Sequence, residues 1–158
     1  MNLFTNSQIA AGFVPFDLQT ARSGDWVKLY DWADINIIFF KGTGTNNDDP
    51  TITLLQATDN AGAGSKALNF TKVYKKQGAD IHAVGQFTVL TVASGNTYTN
   101  TDGHEHAIWG LHIVNADLDL AGGFKYVALN CSDTGTNAQL GCVLYILSRF
   151  VGEPPSAL

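Results

Sequence analysis

The sequence is poor in charge. Only 15% of its 158 residues are Asp, Glu, Lys or Arg, against about 25% in an average soluble domain. The polar part of its surface must therefore be built largely of Thr, Asn, Ser, Gly and Gln. Such a surface repels other proteins only weakly. It is typical either of an ordinary β-protein rich in Thr and Gly, or of a protein whose surface other subunits cover.

Basic residues are the scarcer of the two charged types. Nine Lys and Arg stand against fourteen Asp and Glu, so the formal net charge is −5. Binding to DNA or RNA needs Lys and Arg against phosphate. The one basic cluster, Lys72, Lys75 and Lys76, holds three charges. We therefore expect no direct nucleic-acid partner.

Long apolar runs are missing as well. No run approaches the roughly 18 to 20 apolar residues that span a bilayer. Residues 1–13, MNLFTNSQIAAGF, have neither the basic start nor the long apolar segment of a secretion signal. From these two absences we expect no membrane partner and folding in a cytoplasm.

Cysteine is limited to Cys131 and Cys142. Both fall in predicted strands among apolar neighbours, where we expect reduced core residues. If the two strands were neighbours the cysteines could face each other, so a disulfide stays geometrically open.

A helical pattern is also absent, because no segment keeps an apolar period of 3.6 over three turns. Residues 138–150, AQLGCVLYILSRF, and 34–41, DINIIFFK, are instead strands apolar on both faces. Strands of this kind usually lie centrally in a sheet and are covered on both sides. Turn-rich loops such as 42–50 and 94–103 separate the strands. The sequence therefore predicts an all-β fold, a two-layer antiparallel sandwich that is jelly-roll-like with about eight or nine strands.

The length suits one domain with short extensions. We predict an N-terminal arm over residues 1–12, with a short helical turn at 7–11. The β-sandwich domain follows over residues 13–150. Residues 151–158 form a C-terminal tail, since the two prolines at 154–155 cannot donate to a sheet.

Histidines form the one cluster with metal-ligand residue types. His104, His106 and His112 share a face if the strand there begins early. Cupins bind metal through His-x-His on a jelly roll, but they also need a nearby Glu and a later His. Here the next carboxylate after His106 is Asp117, and no His follows His112. We therefore expect an exposed polar face opposite Trp109, and no metal.

Other chemical motifs are incomplete. Asp48 and Asp49, or Asp117 and Asp119, could offer oxygens to Ca²⁺, but neither pair lies in a loop with alternating ligands and a closing Glu. The nucleophile motif Gly-x-Ser-x-Gly and the phosphate loop Gly-x-x-x-x-Gly-Lys are both absent. We expect no catalytic residue and no cofactor, and hence no enzyme.

Several stretches taken together carry a resemblance. They are residues 48–57 (DDPTITLLQA), 66–74 (KALNFTKVY), 84–88 (VGQFT), 96–99 (NTYT), 116–119 (ADLD) and 136–141 (TNAQLG). In these the chain resembles the small structural proteins encoded beside the major capsid gene in tailed bacteriophages. The likeness runs from about residue 3 to residue 150 and carries no catalytic signature.

The resemblance implies a capsid decoration, or cement, protein on the surface of the virion, assembled in the host cytoplasm. Its partner would be the major capsid protein, and we expect a homotrimer. Residues near the two ends of the chain, most of them apolar, are the candidate capsid or subunit contacts: Asn2, Leu3, Phe4, Phe13, Phe150 and Val151. Two alternatives stay open. One is a head–tail connector or tail structural protein; the other is a carbohydrate-binding or host-attachment module that uses Trp26, Trp32 and Tyr98.

Overall fold

The structure is a computed structural model that describes residues 3–45, 49–99 and 106–151. In these residues a short helix, α1 (Leu3–Asn6), precedes eleven strands. The strands are β1 (Ser7–Asp17), β2 (Val27–Lys28), β3 (Trp32–Lys41), β4 (Thr51–Ala57), β5 (Lys66–Ala67), β6 (Phe70–Gln77), β7 (Thr88–Gly95), β8 (Thr97–Thr99), β9 (Ala107–Val114), β10 (Tyr126–Cys131) and β11 (Leu140–Phe150). Two 3₁₀ turns, Gly78–His82 and Asn115–Asp117, follow β6 and β9. No helix in the described ranges is both long and apolar enough to cross a bilayer.

The strands form two antiparallel sheets. The larger sheet has six strands in the order β1-β11-β3-β9-β6-β7. The smaller has the order β2-β10-β4-β5, and β8 pairs with β4 as well. The two-layer antiparallel sandwich predicted from the sequence is confirmed. The strand count exceeds eight or nine because β8, with three residues, lies in a stretch predicted as a loop, and because β5, with two residues, is separate from β6.

The connectivity is that of a jelly roll. Four antiparallel pairs are nested in the chain: β1 with β11, β2 with β10, β3 with β9, and β4 with β8. The pairs alternate between the two sheets, which is how a long hairpin wraps into a jelly roll. Strands β5, β6 and β7 are an insertion between β4 and β8. Within it the β6–β7 hairpin extends the larger sheet beyond β9.

The core lies between the sheets. Alternate residues of the central strands point into it and are almost fully buried, among them Ile37, Leu111 and Tyr145. Trp109 lies at the centre, with its ring 5.0 Å from that of Phe39 and 5.1 Å from that of Tyr98. These side chains alternate along their strands as the sequence predicts.

Two expectations about the strands need correction. Strands β3 and β11 are central, but the described chain covers their outer faces only in part: Asp34 and Ser148 are buried, whereas Phe40 is 43% and Leu144 41% exposed. Strand β1 begins at Ser7 and pairs with β11 from there. The predicted boundary at residue 13 is therefore too late, and the helical turn lies at Leu3–Asn6 rather than at 7–11.

Tyr145 joins the two sheets through a hydrogen bond. Its hydroxyl oxygen on β11 accepts from the backbone N–H of Leu129 on β10, at 3.0 Å. Strand β2 pairs only with Tyr126 and Val127, so it ends before it could reach Leu129. The phenol thus supplies an acceptor that the short edge strand does not. Burial raises the pKa of this phenol well above its ordinary value, so it stays neutral.

We expect Tyr145→Phe to lower the free energy of unfolding by about 1–3 kcal/mol, because it leaves a buried N–H without its acceptor. Urea unfolding with an unchanged m-value would measure this loss. Tyr30→Phe is the control, since Tyr30 is 44% exposed. Equal stability losses in the two variants would contradict the assignment.

Candidate functional site

The outer face of the larger sheet is the main candidate site. Opposed residues of an antiparallel pair point to the same side. Leu144 lies opposite Ile38, Ile38 opposite Gly110, and Gly110 opposite Tyr74. We call this surface the outer apolar face; its members are Ile9, Ile38, Phe40, Tyr74, Val89, Ile108, Gly110, Cys142, Leu144 and Ile146. It carries aliphatic and aromatic side chains where an antiparallel sheet facing water normally carries polar ones.

A groove of about 510 Å³ runs along this face. The groove is deepest at Gly110, because glycine has no side chain to fill the space between Ile38 and Tyr74. Leu3 of α1 and Phe87, just before β7, line it as well. A groove with such a lining accepts apolar side chains or a short apolar segment.

Polar groups are few in the groove. Its polar groups are the side chains of Asn36, His112 and Ser148 and the hydroxyl of Tyr74. Asn36 and His112 lie opposite each other on neighbouring strands, and Ser148 lies on β11. These groups could orient a bound segment through hydrogen bonds, but the lining is dominated by hydrocarbon. The site therefore favours the burial of apolar surface over polar recognition.

Of the three histidines predicted to share a strand face, the two described ones, His106 and His112, do not form a cluster. The Thr43 hydroxyl lies 3.0 Å from a ring nitrogen of His106, and the His82 ring lies 6.3 Å from the His106 ring. His112, six residues after His106, lies in the groove instead. His104 is outside the described residues. Among those that are described, no three His, Cys, Asp or Glu side chains are close enough to hold a metal ion.

Three of the predicted contact residues are accessible. Phe4 is 83% exposed, Leu3 38% and Val151 63%. Leu3 and Phe4 belong to α1, and Leu3 also lines the groove. This end of the chain is therefore continuous with the outer apolar face. Asn2, a further predicted contact, lies outside the described residues.

The prediction that Phe13 contacts another subunit is wrong. It is 3% exposed and belongs to the core cluster, because β1 turns this side chain between the sheets. Phe150 is half-buried and stacks edge-on against Trp32, with ring centroids 4.9 Å apart. It can offer only part of its ring to a partner.

The aromatic platform suggested for a carbohydrate does not form. Tyr98 is 8% exposed and packs edge-on against Trp109 in the core. Trp26 and Trp32 are both half-buried. Flat stacking on a sugar needs an exposed aromatic face, which Tyr98 lacks.

The sequence did not predict that the outer apolar face is exposed to solvent. The signal was present, because 34–41 and 138–150 are apolar on both sides. That pattern predicted a second covering layer, whereas the chain leaves Leu140 60% and Leu144 41% exposed. Because the described chain leaves much of this apolar face exposed, the same pattern indicates that another molecule covers it.

Both cysteines are free thiols, and no disulfide joins them. Cys131 lies in the smaller sheet and Cys142 in the larger one. Burial raises the pKa of Cys131 to about 12 and also raises the pKa of Cys142, which is half-buried. The two thiols are unpaired, as expected, but the expectation that both lie in the core holds only for Cys131, because Cys142 lies on the outer apolar face. Neither thiol is placed to be a reactive thiolate.

We expect Cys131 to resist alkylation in the native protein at pH 8. With a pKa of about 12, only about 10⁻⁴ of it is the reactive thiolate at that pH. Cys142 should react slowly, and both cysteines should react fully in denaturant. Mass spectrometry after iodoacetamide treatment would count the adducts. Rapid labelling of Cys131 in the folded chain would contradict this assignment.

Together the fold and the site define a jelly-roll β-sandwich with an exposed apolar sheet face. No family model matches the sequence, and no curated protein matches it. Among solved structures, the chain is similar to the SPBc2 prophage-derived protein YomS, with a TM-score of 0.47 and 12% sequence identity. The similarity covers 89% of this chain and 93% of that one. A likeness at this level assigns neither a family nor a function to the chain.

Proposed function

We propose that this chain is a non-enzymatic bacteriophage virion protein that binds the outside of the capsid. In this role it is a decoration, or cement, protein that holds neighbouring major capsid subunits together. The resemblance to small proteins encoded beside the capsid gene supports the role. The structural observation that carries it is the outer apolar face.

The argument from this face is one of solvation. Burying apolar surface is worth about 25 cal/mol per Å², so exposed side chains such as Phe40, Leu144 and Ile9 favour a bound state. Their exposed fractions are 43%, 41% and 43%. Isolated apolar residues on a surface need no explanation, but a contiguous patch across several strands marks an interface. A structural protein uses such a patch to bind its neighbours, whereas an enzyme does not need one for catalysis.

The charge of the chain agrees with an exterior position. A net charge of −5 disfavours contact with packaged DNA. A face that is largely apolar, with Lys76 as a charge beside Ile108, can meet a protein lattice with the desolvation of few ions. A subunit that engages more than one capsid protein gains affinity through avidity, so modest contacts together resist internal pressure.

Two other functions stay as alternatives. A head–tail connector or tail subunit would use the same apolar face, but within a closed ring. The carbohydrate-binding alternative loses support because Tyr98 is buried. The apolar groove also offers few of the hydrogen-bonding groups that a sugar needs.

The experiment is to add the purified chain to phage capsids that lack it and to image the particles by electron cryo-microscopy. We expect extra density on the capsid exterior, with the outer apolar face turned towards the major capsid protein. Density at the neck or tail instead would favour the connector alternative. No density on any part of the particle would overturn a virion role.

A further inference from the structure

A second cavity adjoins the groove of the outer apolar face. It has a volume of about 360 Å³ and lies between β6 and the end of β9. Tyr74 and His112 line both cavities, so the two are continuous. We call the second cavity the polar pocket, because most of its lining side chains form hydrogen bonds: Asn69, Thr71, Lys72, Tyr74, His112 and Asp117. A groove and a pocket joined in this way suit an occupant with a hydrocarbon part and a polar part.

Lys72 is the cation of the polar pocket. It is exposed and lies on the outer side of β6, since its neighbour Val73 is buried in the core. No ion pair, hydrogen bond or ring contact engages it among the described residues. Lys28 and Lys66, by contrast, pair with aspartates at 2.8 and 2.5 Å. The three N–H donors of the Lys72 ammonium group are therefore available to a partner.

Asp117 is the carboxylate of the polar pocket, and its role lies within the fold. It accepts a hydrogen bond from the backbone N–H of Val114 at 2.9 Å. This bond closes the 3₁₀ turn Asn115–Asp117 onto the end of β9. The pocket thus holds one carboxylate that is already engaged and one ammonium group that lacks an acceptor. A carboxylate brought by a partner would supply that acceptor through a charge-assisted hydrogen bond.

Lys76 adds positive charge to the same rim of the groove. It alternates with Lys72 and Tyr74 along the outer side of β6. Its ammonium group donates to the carbonyl oxygen of Ala83 at 2.9 Å and lies 5.3 Å from the ring centroid of Phe87. The whole chain carries a net charge of −5. An acidic group is therefore attracted at this rim and repelled by the net charge of the molecule, which orients the docking.

The positions of the groove and of Lys72 set the spacing required in an occupant. The groove is deepest at Gly110, which lies opposite Tyr74 on β6. Lys72 lies two residues from Tyr74 on the same face, so it is a diagonal neighbour of Gly110, about 7–8 Å away. Two residues of an extended chain span about 6.6–6.8 Å, and their side chains point the same way. An apolar side chain over Gly110 and a carboxylate beside Lys72 therefore fit one extended segment, two positions apart.

We propose that the groove and the polar pocket together bind an extended segment of the major capsid protein that carries an apolar residue and, two positions away, Asp or Glu. The apolar side chain fills the space over Gly110, and the carboxylate pairs with Lys72. This inference rests on the proposed virion function and adds to it the chemistry of the partner segment. The outer apolar face supplies the buried area, while the pairing with Lys72 fixes the register and direction of the segment.

Charge reversal at Lys72 tests the pairing, measured by co-sedimentation with phage capsids that lack the chain. We expect Lys72→Glu to weaken binding about tenfold, because two carboxylates then face each other. Lys72→Gln removes the attraction without adding repulsion, so its affinity should fall between the two. The matched control is Lys125→Glu, the same change at an exposed lysine just before β10 of the smaller sheet. It should bind like the unmodified chain, and circular dichroism should show all three variants folded.

The outcomes separate this inference from the proposed function. Equal affinities of Lys72→Glu and Lys125→Glu would overturn the inference, whereas a loss for Leu144→Asp in the same assay would leave the capsid role standing. Tighter binding of Lys72→Glu would show that the partner brings a cation, and would overturn the inference as well. If the unmodified chain did not bind capsids, both would fail.

Electron cryo-microscopy of the decorated capsid gives a direct check. We expect a segment of the major capsid protein over Gly110, with a carboxylate oxygen about 2.7–2.9 Å from the Lys72 nitrogen. Density that leaves the polar pocket empty, or that places a basic side chain in it, would overturn the pairing.

Discussion

Leu144→Asp is expected to lower the capsid affinity that we propose for this protein by about 100-fold, or about 2.7 kcal/mol. Leu144 lies on the outer apolar face, opposite Ile38, and is 41% exposed. An aspartate there would bring an unpaired carboxylate into an interface that excludes water. Burying a charge without a partner costs several kcal/mol. Co-sedimentation of the variant with capsids, measured as bound fraction against concentration, gives the change.

The control is Leu120→Asp, which makes the same chemical change at a residue 42% exposed. Leu120 lies in the loop between β9 and β10, beside Asp119, whose backbone N–H donates to Gln56 of the smaller sheet. It is therefore remote from the outer apolar face, and its variant should bind like the unmodified chain. Binding that falls equally in both variants, or in neither, would argue against capsid docking through this face.

Gly24→Ala is expected to destabilise the fold strongly. A Cβ on Gly24 would lie 2.3 Å from the carbonyl oxygen of Leu129 and 2.8 Å from the hydroxyl oxygen of Tyr145. The carbonyl belongs to β10, a strand paired with β4 along its length, so it cannot move aside. The Gly24 N–H also donates to the Asn130 side chain at 3.0 Å, and this bond would be strained.

We expect Gly24→Ala to lower the free energy of unfolding by about 3 kcal/mol, since overpacking against a backbone atom is at the high end of such losses. For a chain of this size that loss lowers Tm by about 6–12 °C. Gly85→Ala is the control, because no atom lies within 4 Å of its Cβ position. Thermal unfolding followed by circular dichroism compares the two variants. A Tm for Gly24→Ala within error of that for Gly85→Ala would show that the turn at Gly24 yields easily.

The central strands could be predicted because their pattern is local. Residues 34–41 and 138–150 are long apolar runs, and both occupy the middle of the larger sheet. The start of β1 could not be predicted, because Ser7–Gly12 mixes polar and small residues without alternation. Those residues form a strand only because β11 offers a partner edge to them. Strands β5 and β8 could not be predicted as separate strands for the same reason, since their pairing with β4 is what makes them strands.

The candidate site was less predictable than the fold. The end residues Leu3, Phe4 and Val151 were expected to be accessible, and they are. Phe13 was expected with them and is in the core. The outer apolar face was not expected as a surface at all. The exposure of a side chain depends on which other parts of the fold pack against it, and the residues next to it in the sequence do not determine this packing.

The sequence by itself determined that this is an all-β chain and which strands are apolar on both sides, since alternation and turn residues are properties of neighbours along the chain. Only the tertiary structure decided which apolar side is covered. The inner sides of β3 and β11 meet the smaller sheet, while much of their outer sides is left exposed in the described part of the chain. The physical reason is that cover comes from pairings between strands far apart in the chain, such as β4 with β10 and β1 with β11. No local pattern of residues encodes where such a layer ends.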